Sequence, residues 1–266
     1  MFLSRIAKFI ALLLLVWLPF AIPIYVFIDD RNLTSILSMA ILYGEFILLV
    51  RWWGKRYYKE PHLLRRYGLE IGRRNGVEWL QGIAIALTSL ATLFAVETLC
   101  GWVSWQPSRV ALPMLILEGA IVAIAVGFAE ELFFRGWLLD ELRRNYSDRV
   151  SRRTNAIVFA ALHFIKPLGE IVRTFPQFPG LILLGWMLVA AKERKGDRLG
   201  FPIGLHGGFV WGIYLLNVGE LVEYSDRVPN WITGIDNNPL AGVAGIVFLF
   251  AIAGAIENLK IPRKSS

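Results

Sequence analysis

The chain is a succession of apolar runs, most of them close to the length a membrane requires, separated by short segments rich in Arg and Lys. A helix needs about 20 apolar residues to cross the hydrocarbon core. Candidate runs fall at roughly 6–28, 33–50, 77–100, 111–139, 154–165, 177–191, 201–218 and 239–256. The fifth is the shortest and contains His163. Of all residues 56% are hydrophobic, above the roughly 45–50% of soluble domains. The pattern predicts an all-α polytopic membrane protein with about eight transmembrane helices.

The basic residues test that count. With the N-terminus on the cytoplasmic side, the inner segments hold 22 of the 28 Lys and Arg residues and the outer loops hold 5. Arg135 is the remaining one. The split alternates at every loop, which is the bias that orients membrane helices, so both termini are expected to be cytoplasmic. The net charge of +7 then reflects topology and the surface of the lipid bilayer, and no nucleic-acid partner is expected. The first run contains Pro19 and Pro23 and lacks a small-residue cleavage site, so it reads as a retained span. The single cysteine, Cys100, excludes an intramolecular disulfide. Segment 51–75, with Trp52, Trp53, Tyr57 and Tyr58 among many basic groups, reads as an interfacial anchor. No repeat or low-complexity tract interrupts the chain, and a single membrane domain over 1–266 is expected.

The fourth run carries Glu130, Glu131 and Arg135 within six residues. Charges at membrane depth cost about 3 kcal/mol each even on lenient insertion scales, so such groups mark function by default. Glu131 and Arg135 are four apart, share a helix face and can pair. Glu130 points about 100° away. Of the three histidines, His62 lies in the basic surface segment, whereas His163 and His206 lie in predicted spans. Counting from the inner ends of the spans at 1.5 Å per residue puts Glu130, His163 and His206 all roughly 9–14 Å deep. A carboxylate and a histidine can hold and deprotonate a water, and a second histidine can donate to an oxyanion or ligate a metal. Ser89, Ser104 and Ser147 fall elsewhere in the expected topology, so hydrolysis by activated water fits better than covalent catalysis. Gly204, Gly207 and Gly208 around His206 would allow close helix approach.

The ordered set Glu130-Glu131-x-x-x-Arg135, Phe159-x-x-x-His163 and the later His206 resembles the CPBP family, the intramembrane proteases that include type II CAAX prenyl endopeptidases and Abi proteins. The resemblance covers about 100–220, and eight spans also match that family's architecture. It implies an intramembrane endopeptidase, a hydrolase whose substrate is a membrane protein or a prenylated or otherwise lipidated peptide. By the same resemblance Glu130 and His163 would activate the water, His206 would help stabilise the oxyanion, and Glu131 and Arg135 would form the supporting pair. One position departs from the pattern. The family's last motif commonly reads His-x-x-x-Asn or Asp, and here that position is Val210. The missing donor would have to come from another group such as Trp211.

A glutamate-based, metal-free mechanism is the expectation. If a metal took part, Glu130, His163 and His206 would be its ligands and zinc the ion such a set suits, although the His-Glu-x-x-His spacing is absent. Two other classes compete. Val210 suits a non-catalytic membrane scaffold of the same fold. Intramembrane Glu and His also mark proton paths in transporters, but an inverted repeat is missing.

Overall fold

The computed structural model describes residues 2–260. Packing divides the chain into two compact units, Met1–Arg66 and Tyr67–Ser266. The first holds α1 (Phe2–Phe27), α2 (Arg31–Trp53) and the short α3 (Leu63–Arg66). Asp30 caps α2 by accepting from the Leu33 backbone N–H at 2.9 Å. Phe9 packs edge-on against Phe46 and Trp53 and is buried. His62 is exposed.

The second unit starts with α4 (Arg73–Leu99), followed by β1 (Val103–Trp105) and α5 (Leu112–Glu131). A π-helical turn over Leu132–Leu138 continues α5 into α6 (Leu139–Arg143). Next come α7 (Asp148–Leu162), α8 (Leu168–Thr174), α9 (Phe178–Arg194) and α10 (Gly200–Val218). The unit ends with β2 (Val222–Tyr224), α11 (Asn230–Thr233) and α12 (Val243–Glu257). The two short strands pair antiparallel, Val103 opposite Tyr224, and tie the connection after α4 to the end of α10.

The chain is an all-α polytopic membrane protein. Among the described residues, six helical stretches are long and apolar enough to cross a membrane: Arg5–Phe27, Arg31–Tyr58, Arg73–Leu99, Leu112–Arg143, Leu168–Arg194 and Gly200–Val218. The other two expected runs form α7 and α12, each of 15 residues. At 1.5 Å per residue such a helix is about 22 Å long, short of the ~30 Å hydrocarbon core. α7 also begins six residues before the apolar run, at Asp148, and carries Arg149, Arg152 and Arg153 in its first two turns. Its buried residues Ser151, Asn155, Ala156, Phe159 and Ala160 recur at helical spacing, so one face points inward.

α10 lies between α4 and α5 at backbone contact distance. A Cβ on Gly204 would sit 1.9 Å from the Trp79 carbonyl oxygen of α4, and one on Gly207 would sit 2.8 Å from the Ala123 carbonyl oxygen of α5. Both sides of α10 therefore need glycine, as expected where membrane helices meet closely. Asn75 fixes the start of α10: its Nδ2 donates to the Gly68 and Glu70 carbonyls at 3.3 and 2.7 Å, and its Oδ1 accepts from the Gly200 N–H at 2.8 Å.

Candidate active site

α5, α7 and α10 bring the predicted residues together. Glu130 Oε2 lies 3.8 Å from His163 Nε2 and 3.9 Å from His206 Nε2. The Glu130 side chain is 26% exposed and His163 32%, whereas Glu131 and Arg135 are completely buried. The charged run is thus split between a partly exposed glutamate and a pair that is fully buried.

Each imidazole is held from behind. His163 caps the C-terminus of α7, and its Nδ1 is 2.7 Å from the Phe159 carbonyl oxygen, one turn back. A carbonyl only accepts, so Nδ1 carries the proton and Nε2 faces Glu130. The end of α7 is drawn tight by the His163, Phe164 and Ile165 N–H groups, each donating three residues back. The spacing Phe-x-x-x-His is the spacing of this bond. His206 Nδ1 is 2.8 Å from Glu131 Oε1. A carboxylate accepts here too, leaving Nε2 toward Glu130.

Glu131 Oε1 also accepts from Arg135 Nη1 at 2.9 Å. Arg135 then donates through Nη2 to the Gly185 carbonyl of α9 at 3.1 Å. Its guanidinium lies 4.3 Å from the centroid of the Phe159 ring. Phe159, fully buried, touches the rings of both histidines, with centroids 4.6 and 5.9 Å away. Glu131, Arg135 and Phe159 therefore form a dry layer behind the two imidazoles.

The π turn directly follows the glutamates. It frees backbone carbonyls from the regular ladder, and two side chains take them up. Asn155 Nδ2 donates to the Phe134 carbonyl at 2.7 Å, and Lys192 Nζ donates to the Arg135 carbonyl at 2.7 Å. Both are buried. Sequence reasoning missed both residues. Asn155 had a signal, since Asn155, Phe159 and His163 are spaced by four and share one helix face. Lys192 reads as one more inner-side cation after α9, and nothing local marks it as buried.

His163 and His206 open onto an apolar cavity of about 480 Å³ bounded by α4, α9, α10 and α12. Val210 lines it, one turn beyond His206. Trp211 does not supply the missing donor: its Nε1 donates to the Ile116 carbonyl of α5 at 3.2 Å. Adjacent helix positions point about 100° apart, so Val210 and Trp211 face different neighbours. Ser89 was placed away from the site by sequence, yet it lines this cavity. Its Oγ donates back to the Ile85 carbonyl at 2.6 Å, the usual satisfaction of a serine within a helix. Asn217 lines the cavity three turns from His206.

Among the described residues, no group of three or more His, Cys, Asp or Glu side chains is gathered tightly enough to hold a metal ion. Glu130 Oε2 stands 3.8 and 3.9 Å from the two Nε2 atoms.

Residues 112–212 match the family model described as type II CAAX prenyl endopeptidase Rce1-like, a stretch that contains the Glu130-Glu131 pair, Arg135, Phe159, His163 and His206. No curated protein and no solved structure matches the chain. The apolar helices make this chain a multi-pass membrane protein, and its segment 112–212 is similar to the type II CAAX prenyl endopeptidase Rce1-like family.

Proposed function

We propose that the protein is an intramembrane endopeptidase that hydrolyses a peptide bond of a membrane-associated or lipidated protein near the cytoplasmic face. The observation that carries this reading is the convergence of Glu130 Oε2 on the two imidazole Nε2 atoms. Three acceptor atoms then face one another. A bridging water can donate to only two of them, so the third contact needs one further proton in the cluster. His206, backed by the Glu131 carboxylate, is the group placed to carry it.

The chemistry follows from that arrangement. Glu130, with His163 beside it, takes a proton from water as the oxygen attacks the scissile carbonyl carbon. His206 Nε2–H donates to the oxyanion that forms. As the tetrahedral intermediate collapses, the proton held at Glu130 passes to the leaving amine. Arg135 neutralises Glu131 in the dry layer, and the cavity with apolar walls receives the lipid-modified or transmembrane part of the substrate. No metal is needed for these steps. Both termini and the basic loops are on the cytoplasmic side, in a cell membrane if the host is a bacterium.

The test is a comparison of membrane-protein N-termini between cells expressing the wild type and Glu130→Gln. N-termini that vanish in the variant would reveal both activity and substrate. Identical N-termini would remove the proteolytic reading and favour a scaffold. Purified protein that loses peptide cleavage when a chelator strips a bound metal would overturn the metal-free mechanism.

A further inference from the structure

A second recess, of about 540 Å³, lies where α4 begins and where α9 and α12 end, and no residue lines both it and the cavity at His206. Arg73, Arg74, Arg194, Lys195 and Lys260 line it against a single carboxylate, Glu78. That carboxylate is already engaged. Arg198 donates to it through both Nε, at 2.8 Å, and Nη2, and Arg74 Nε lies 3.6 Å away. Arg194 reaches Glu257 and the Leu259 carbonyl, each at 3.3 Å. Lys195 donates to the neutral Gln81 Oε1 at 3.0 Å. Among the described residues, Arg73 and Lys260 have no hydrogen-bond or ion-pair partner.

Position narrows the ligand. Arg73–Leu99 and Leu168–Arg194 are membrane-length stretches, so their charged ends sit where hydrocarbon gives way to headgroups. Val77 lines the recess, and Leu80 follows it on the same helix face. Both are exposed, at 45% and 59%. A soluble anion would satisfy the cations but would leave that apolar flank uncovered. Basic recesses between membrane helices on the positive side are where anionic headgroups bind. We propose that this recess holds the phosphate of an anionic phospholipid, with Arg73 and Lys260 as its main contacts and the acyl chains along Val77 and Leu80.

The experiment measures binding of fluorescent phosphatidylglycerol and phosphatidylcholine to the purified full chain in neutral detergent. Wild type should prefer phosphatidylglycerol. Each cation near the surface is worth about fivefold, so Arg73→Ala with Lys260→Ala should weaken phosphatidylglycerol binding by about 25-fold and leave phosphatidylcholine unchanged. Gln81→Glu, nearly isosteric and placed beside Lys195, should weaken it by about fivefold without a packing change. Wild-type affinity in both variants would overturn the site. Displacement of the lipid by millimolar inorganic phosphate would overturn its assignment to a phospholipid.

Discussion

Glu131 Oε1 accepts from His206 Nδ1 at 2.8 Å and from Arg135 Nη1 at 2.9 Å, all within a fully buried layer. One oxygen thus joins the ion pair of α5 to the histidine of α10. Glu130, its sequence neighbour, has a partly exposed side chain whose Oε2 is buried and makes no hydrogen bond. The adjacent carboxylates therefore have separable consequences.

Glu131→Ala should cost both stability and activity. It strands Arg135 as an unpaired buried cation, a loss of about 3–5 kcal/mol, and frees the His206 ring to turn. Glu130→Gln should abolish cleavage with a stability change below about 1 kcal/mol, since the side chain is partly exposed, its Oε2 makes no hydrogen bond and the amide is nearly isosteric. Thermal unfolding in detergent alongside a cleavage assay separates them. Equal unfolding midpoints for the two variants would contradict the division.

The π turn makes a second case. Asn155→Leu removes the donor to the Phe134 carbonyl and leaves a buried acceptor unsatisfied, costing about 1–3 kcal/mol. If the turn relaxes to an α-helix, Glu130 rotates relative to both histidines. The expected result is an activity loss of at least tenfold at temperatures where the protein remains folded. Retained activity would show that the turn holds its form without Asn155.

These cases show what sequence could and could not reveal. Glu130, Glu131, Arg135, His163 and His206 were legible because charge in an apolar run is costly and because depth can be counted along a helix. The Glu131–Arg135 contact follows from spacing alone. The partner of His206 does not, since Glu131 and His206 are 75 residues apart. The π turn was hidden for a different reason: within Leu132–Leu138 only Gly136 is a weak helix former, and the donors that take up the freed carbonyls come from α7 and α9. Ser89 was misplaced because nothing local reveals which face of α4 looks into the cavity. The runs at 154–165 and 239–256 differ from the helices Asp148–Leu162 and Val243–Glu257 because α7 starts in a charged segment and apolar composition continues past its end and before the start of α12.

Glycine spacing gives a third prediction, with an internal control. Gly204→Ala would drive a Cβ into the Trp79 carbonyl, a backbone atom that cannot turn aside. Overpacking of this kind costs about 1–3 kcal/mol and should also displace His206, two residues on. Gly76→Ala lies on α4 with nothing within 4 Å of its Cβ. It should stabilise by up to about 1 kcal/mol through helix propensity. Unfolding midpoints that move in the same direction for both would refute the close packing of α10 on α4.

Val210 offers the sharpest test of how the oxyanion is held. The residue lines the cavity one turn past His206, where the family commonly places Asn or Asp, and Trp211 is committed to Ile116. If His206 is the working donor, the site operates with one fewer hydrogen bond than its relatives. Removing one such donor from an enzyme costs about 10²–10³ in rate, so restoring one should raise kcat. Val210→Asn is close in volume and faces open space, so packing should tolerate it. The expected outcome is a rise in kcat of about tenfold with KM unchanged, because an interaction confined to the transition state accelerates chemistry without tightening substrate binding. His206→Ala combined with Val210→Asn should not recover wild-type activity, since the new amide cannot replace the group held by Glu131. A Val210→Asn protein with unaltered kcat would mean that the oxyanion lies out of reach of this position and that the departure from the family motif has no cost.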